Sequence, residues 1–234
     1  MADPRLYILI PIKPMAQAKR RLRTALPSEQ RRQVVATLLR HVLDVVTSAD
    51  LPKRVVVLAG DTEGAELARS LGAEVLTESG RWRLEIGGEE GTPTEQDDRA
   101  NVPPLVESRL NRILADALAW TDEQGAVAAL ILPADLPLLS TADVEALWHL
   151  SQRAPTPHIV IASDRQEQGT NALLLCPPQV LTPSFGRGSF RRHVAQARRV
   201  GAAVRVYTSI GLAYDVDEPE DWRQIERAEG ADRP

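Results

Sequence analysis

Cysteine is almost absent from the 234-residue chain, Cys176 being the only one. This excludes an internal disulfide and a cysteine-built zinc site, and a reducing cytoplasm is the expected setting. Positive charge is in slight deficit. The 28 Lys and Arg are outnumbered by 32 Asp and Glu, giving a formal net charge of −4. A duplex binder concentrates cations against phosphates, so no nucleic-acid partner is expected. The apolar stretch Leu6-Tyr7-Ile8-Leu9-Ile10 falls far short of the roughly 20 residues that span a bilayer. It lacks the basic flank and cleavage site of a secretory signal, so neither membrane nor export is indicated. The four histidines, His41, His149, His158 and His193, show no metal-ligand spacing. No Ser–His–Asp or Cys–His set can be assembled, and neither Gly-x-Gly-x-x-Gly nor Gly-Lys-Ser/Thr occurs. Trp82, Trp120, Trp148 and Trp222 are too scattered for a base-stacking platform.

With 43% hydrophobic and 26% charged residues, the chain has the make-up of a globular protein able to bury one sizeable core. One domain, residues 1–234, is expected. Short apolar runs rich in β-branched residues alternate with stretches of helical period, the pattern of a mostly parallel mixed sheet with helices on both faces. Seven strands are predicted: Leu6–Ile12, Arg54–Ala59, Glu74–Thr77, Ala126–Leu132, His158–Ala162, Asn171–Leu175 and Ala203–Tyr207. Helices are predicted from Ser28, over Thr62–Leu71 with Gly72 closing it, over Leu105–Thr121, Thr141–Gln152 and Ser189–Val200, and after Pro219. Residues 79–104 break this rhythm, being rich in Gly, Glu, Asp, Pro and Thr. They read as a mobile insertion, too short for a core of its own.

In open α/β sheets, ligands gather beyond the carboxyl ends of the strands. Four segments there carry chemistry. The first, Ile10-Pro11-Ile12-Lys13-Pro14 running to Lys19-Arg20-Arg21-Leu22, ends a strand in a basic loop that suits phosphates or is simply a solvated turn. The second, Pro133-Ala134-Asp135-Leu136-Pro137, sets one carboxylate in an apolar run. Buried there it needs a metal ion, a ligand hydroxyl or a helix N-terminus, unless it merely caps a turn. The third, Asp215-Val216-Asp217-Glu218-Pro219, places two carboxylates at i and i+2, on one side of an extended segment. Mg²⁺ is typically held by one or two such carboxylates plus substrate phosphates, and helix capping is the plain alternative. The fourth combines Asp164 and Gly169-Thr170-Asn171 with Phe185-Gly186-Arg187-Gly188-Ser189, where the start of a helix offers free N–H groups and a positive dipole end to an anion. Ser189 could equally be an N-cap. His193, one turn into that helix, reads as structural.

These segments and their order resemble the 2-phospho-L-lactate guanylyltransferase and phosphoenolpyruvate guanylyltransferase family of coenzyme F-420 biosynthesis. The resemblance covers nearly the whole chain. It implies the Rossmann-like nucleotidyltransferase fold and the transfer of GMP from GTP to a small phosphorylated three-carbon acid: 2-phospho-L-lactate, phosphoenolpyruvate or 3-phosphoglycerate. It further implies that Asp135, Asp215 and Asp217 hold Mg²⁺, that Thr170, Gly186 and Ser189 hold the acid, and that Lys13 and Lys19 face nucleotide phosphates. Lys13, Lys19 and Asp135 are then the catalytic set, and Pro11, Asn111 and Pro133 join Lys13 and Lys19 around the nucleotide. A homodimer and functional coupling to the downstream deazaflavin transferase belong to the same expectation. Two departures stand out. Arg20 replaces the usual hydroxyl of the Ala-Lys-Ser/Thr-Arg-Leu motif, and Arg109-Leu110-Asn111 replaces Gly-Leu-Asn. The rivals are a molybdenum-cofactor or sugar-phosphate transferase of the same fold, and a non-catalytic nucleotide-binding protein. The former usually carry a glycine-rich loop where Pro11-Ile12-Lys13-Pro14 stands, and the latter would have no need of three placed carboxylates.

Overall fold

A computed structural model describes residues 5–15, 26–77 and 109–216. Lys19, Asp217, the 79–104 segment and the helix expected after Pro219 lie outside these residues. Seven strands form one sheet: β1 (Leu6–Ile12), β2 (Lys53–Ala59), β3 (Glu74–Thr77), β4 (Ala128–Ile131), β5 (His158–Ser163), β6 (Thr170–Cys176) and β7 (Ala203–Val206). Their spatial order is β3-β2-β1-β4-β6-β5-β7. The strands β1 to β4 pair in parallel, β6 runs antiparallel to both β4 and β5, and β7 lies parallel to β5. Among the described residues the helices are α1 (Ser28–Ser48), α2 (Thr62–Ser70), α3 (Arg109–Glu123), α4 (Thr141–Gln152), α5 (Ser189–Arg199) and α6 (Ile210–Ala213).

Alternation along β1 divides the core in two. Leu6, Ile8 and Ile10 meet Leu39, Val42 and Val46 of α1, with Ala65 of α2 and Leu147 of α4 in the same cluster. Tyr7 and Leu9 point to the opposite face, into the cluster that holds Leu114 and Leu118 of α3 and Ala197 of α5. Full burial of one such Leu or Ile is worth about 2 kcal/mol, so the two apolar faces of the sheet outweigh any single helix propensity. The seven residues of β6 are all buried, as a strand flanked on both edges and covered on both faces must be.

Two prolines shape the centre of the sheet. The β1–β4 ladder stops at Leu9 and Ile131, with one further bond from Leu132 N–H to the Leu9 carbonyl at 3.0 Å. By the alternation of backbone groups, residue 11 faces β4 and residue 133 faces β6. Pro11 and Pro133 have no N–H to give at those positions, so neither ladder can extend. The strands part at the point where the chain switches from one side of β1 to the other, which is where open α/β sheets place their ligands.

The short helix α6 carries no apolar period of its own and is not foreseen from the sequence. Ser209 caps it by accepting from Leu212 N–H at 3.1 Å. Gly211 within it lies against the capping box of α4. A Cβ on Gly211 would stand 2.3 Å from Asp143 Oδ2 and 2.6 Å from the Leu138 carbonyl. Asp143 cannot yield easily, because it accepts from the Ser140 hydroxyl at 2.7 Å and from the Tyr207 hydroxyl at 3.0 Å. Gly211→Ala is therefore expected to destabilise the protein by about 1–3 kcal/mol, as overpacking does, measured by urea unfolding. Wild-type stability of that variant would contradict the close approach.

Candidate functional site

The carboxyl ends of β1, β2, β4 and β5 share one edge of the sheet with the beginning of β6, because β6 alone runs the other way. The Lys13 loop, the Asp135 turn and Thr170 therefore meet along that edge, from strands whose positions in sequence are far apart.

The Lys13 loop is pinned on both sides. Gly60 N–H donates to the Ile12 carbonyl at 3.2 Å, and Met15 N–H donates to Asp61 Oδ2 at 2.7 Å. The other Asp61 oxygen, Oδ1, accepts from Gly64 N–H at 2.8 Å and so caps α2. A Cβ on Gly60 would stand 2.7 Å from Pro14 Cδ, so only glycine lets the β2 end lie this close. The Arg109 guanidinium, which replaces a glycine of the usual motif, donates to the Gly60 carbonyl at 3.0 Å. Lys13 itself is exposed between these anchors.

Asp135 follows β4 and is half-buried. Its carbonyl accepts from Val216 N–H at 3.1 Å, which places half-buried Asp215 on the neighbouring segment, one residue from that contact. The 212–216 stretch has further ties. Asn171 Nδ2 donates to the Leu212 carbonyl at 2.9 Å, Arg165 N–H donates to the Ala213 carbonyl at 3.1 Å, and the Arg165 guanidinium carbon lies 4.3 Å from the Tyr214 ring centroid. Two carboxylates on adjacent, fixed segments are the hard oxygen donors that a small divalent cation takes. Among the described residues no group of three or more His, Cys, Asp or Glu could hold a metal ion. Asp217, the third member of the expected set, lies outside those residues.

Thr170 and Ser189 come together as the sequence reading expects. Their hydroxyl oxygens are 2.9 Å apart, and Thr170 Oγ1 is 3.2 Å from His193 Nδ1. Ser189 is not the N-cap. That place belongs to Gly188, at φ 76°, and the first turn of α5 has no side-chain cap. Gly186, at φ 117°, completes a left-handed turn that glycine alone adopts at low cost. Eleven residues of helix then aim their positive end at the Thr170 edge. Asn111 grips this loop, accepting from Phe185 N–H at 2.7 Å and donating to the Phe185 carbonyl at 3.2 Å. Asp164 closes the β5–β6 turn by accepting from Gln166, Gln168 and Gly169 N–H groups at 2.8–3.2 Å.

His193 is fully buried, and Ser184 N–H donates to its Nε2 at 2.9 Å. Burial, helped by the neighbouring Arg192 charge, pushes its pKa from 6.5 down to about 4. Sequence reasoning missed the anchoring roles of Asp61 and Ser184. Asp61 had a usable signal, a strand end followed by an N-cap residue before a helical stretch. Ser184 had none, because it holds His193 through its backbone N–H, which no side-chain pattern marks. The remaining candidates, Lys19 and Asp217, lie outside the described residues.

The sheet order, the parted strands and the edge that joins a lysine loop, carboxylates and a glycine-rich helix start define a nucleotidyltransferase of Rossmann-like fold. Solved structures share this architecture. Among them are a candidate nucleotide-diphospho-sugar transferase from Desulfovibrio desulfuricans G20 (TM-score 0.69, 13% identity, 97% of this chain and 89% of that one) and a CMP:2-keto-3-deoxy-manno-octonic acid synthetase complexed with CTP (TM-score 0.62, 10% identity, 98% and 100%). At such identities the likeness concerns the fold alone. The family model described as "Guanylyl transferase CofC like" matches residues 6–87 and 89–229, and the chain belongs to that family. Its relatives include a phosphoenolpyruvate guanylyltransferase of Rubrobacter xylanophilus, 37% identical, with 96% of this chain and 95% of the relative covered. A 2-phospho-L-lactate guanylyltransferase of Methanobrevibacter ruminantium is 27% identical, with 94% and 85% covered. No helix among the described residues is long and apolar enough to cross a membrane.

Two outcomes are expected. Asp61→Ala removes the α2 cap together with the Met15 anchor and should cost about 1–2 kcal/mol in urea unfolding. His193 makes stability depend on pH. Above 6.5 both folded and unfolded imidazoles are neutral, and between 6.5 and about 4 only the unfolded chain takes up the proton, so stability falls as pH falls. The full contribution is roughly 3 kcal/mol and should be missing from the pH dependence of His193→Gln, measured by unfolding between about pH 7.5 and about pH 4.5. Identical pH dependence in the two proteins would contradict the buried neutral ring.

Proposed function

We propose that the protein transfers GMP from GTP to phosphoenolpyruvate, releasing pyrophosphate and forming a diphosphate-linked product. The observation that carries this reading is the meeting, on one sheet edge, of the Asp135–Val216 contact with the Thr170–Ser189 pair at the uncapped start of α5. Phosphoenolpyruvate is favoured over 2-phospho-L-lactate because the relative bearing that name is 37% identical, against 27% for the relative named for the lactate.

In this reaction a phosphate oxygen of the acid attacks the α-phosphorus of GTP. A new P–O bond forms, the bond to the β-phosphate oxygen breaks, and pyrophosphate leaves. A phosphate monoester is already mostly dianionic near pH 7, its second pKa being about 6, so the attack needs no general base. The lack of a Ser–His–Asp set is thereby explained. The residues have three tasks. Lys13, with Lys19, faces the nucleotide phosphates and the departing pyrophosphate. The α5 start with Gly186, Thr170 and Ser189 holds the acid. Asp135, Asp215 and Asp217 would hold Mg²⁺, which screens the two anionic partners and stabilises the charge of the in-line transition state. Pro11 and Pro133, which end the β1–β4 and β4–β6 ladders, and Asn111, which grips the Phe185 loop, lie around the nucleotide. The same reading has the enzyme in the cytoplasm, as a homodimer, passing its product to the deazaflavin transferase of coenzyme F-420 biosynthesis.

The test is to incubate the purified protein with GTP, Mg²⁺ and each of phosphoenolpyruvate, 2-phospho-L-lactate and 3-phosphoglycerate, following pyrophosphate release and product mass. Release with phosphoenolpyruvate is expected, and silence with all three acids would sink the proposal. Asp135→Asn, Asp215→Asn and Asp217→Asn should each lower the rate about 100-fold or more while unfolding like wild type, since each removes one carboxylate charge that would bind the metal ion. Wild-type turnover in any two of them would remove the carboxylate site.

A further inference from the structure

His193 makes two hydrogen bonds, and their direction can be worked out atom by atom. Ser184 contributes a backbone N–H, which can only donate, so the Nε2 atom 2.9 Å away must carry the lone pair. A buried, neutral imidazole then has its proton on Nδ1, directed at Thr170 Oγ1 3.2 Å away. Thr170 Oγ1 also lies 2.9 Å from Ser189 Oγ. That contact uses one of the two hydroxyl protons of the pair. The other proton has no acceptor in the cluster, and neither hydroxyl has a further partner among the described residues. With the opposite tautomer the count would close, because Nδ1 would accept the second proton, but Nε2–H would then oppose Ser184 N–H.

We propose that His193 is a positioning residue of the acceptor site: by giving Nδ1–H to Thr170 it leaves the Thr170–Ser189 pair with one hydroxyl proton for an anionic oxygen of the phosphorylated acid. The inference rests on the guanylyl-transfer reading for the identity of that acid. Phosphate and carboxylate oxygens accept and cannot donate when ionised, so a site that presents only donors selects them. Thr170 is 5% exposed and Ser189 not at all, so of the pair Thr170 is the one with surface at which a ligand can be met. The ring is also held in orientation, with the Phe185 ring edge-on at 5.0 Å and the Ser184 N–H as a fixed donor. His193 thus touches no reactant, and acts through the hydroxyl it directs.

The tautomer can be read without any substrate. In protein carrying ¹⁵N-histidine, with His193 assigned by its loss in a variant, the two ring nitrogens at neutral pH should show the Nδ1-protonated neutral form. An Nε2-protonated ring or an imidazolium would overturn the inference. Two variants then separate the two ring nitrogens. In His193→Asn the amide stands near Nδ1 and keeps a donor for Thr170, whereas in His193→Gln it reaches the Nε2 position and keeps only the anchor to Ser184. With phosphoenolpyruvate as the probe, His193→Gln should raise the KM for the acid about tenfold or more, the value of one hydrogen bond to a charged group, with the KM for GTP little changed. His193→Asn should keep the acid KM near that of wild type in spite of lower thermal stability. Equal effects of both variants on both substrates would reduce His193 to a packing residue. Failure of wild type to turn over with any acid would instead overturn the reaction assignment, and the tautomer result would be unaffected.

Discussion

Everything at the site depends on the place where β1 and β4 stop pairing. The two strands are buried neighbours that would gain backbone hydrogen bonds by continuing; Pro11 lacks the donor that β4 would receive, and Pro133 likewise ends the β4–β6 ladder. A single net hydrogen bond is worth only about 1 kcal/mol, so the parting costs little stability. It frees the two strand ends, from which the Lys13 loop and the Asp135 turn project. Two residues that carry no charge and no reactive group therefore determine where the charged ones can act.

The reversal of β6 supplies the other half of the site. A parallel strand in this position would start at the far edge of the sheet, and Thr170 would be about 20 Å away, the length of a seven-residue strand. Running antiparallel between β4 and β5, β6 begins where they end. The chain must then return to the same edge before α5, and the 177–188 connection brings Gly186 and Gly188 there. Each of the loops so assembled is held by side chains bonded to backbone: Asp61 to Met15, Asp164 to three turn amides, Asn111 to Phe185, His193 to Ser184. Their cost in conformational entropy is met during folding, so a ligand would not have to meet it on binding.

The fold was largely legible because its signals are periodic and local. All seven strands announced themselves as short β-branched runs, and β1 and β3 lie within the predicted bounds, Leu6–Ile12 and Glu74–Thr77. The helix α6 was not, since four residues have no period and its place depends on the fit of Gly211 against Asp143. At the site, Thr170 and Ser189 were legible as neighbours only through motif order. Nineteen residues separate them, and the 2.9 Å contact arises from the reversal of β6, which no local pattern encodes. His193 looked structural, and it is fully buried. The direction of its hydrogen bonds could not be inferred, because it is set by a backbone amide nine residues earlier.

A chain with net charge −4 that handles a nucleotide triphosphate and a phosphorylated acid faces a problem of repulsion. On the proposed reading it is met differently on the two sides of the crevice. The nucleotide side uses cations, where charge on the leaving pyrophosphate must be stabilised. The acid side uses neutral hydroxyls and the positive end of α5. That difference follows from the chemistry, because the acid's phosphate oxygen is the nucleophile. Beyond the screening that a bound Mg²⁺ would give both partners, a hydroxyl donor and a helix dipole orient the group and leave most of its charge in place. A buried histidine serves this arrangement only if it stays neutral, and the same burial that lowers its pKa to about 4 keeps it so across the range in which the monoester is dianionic.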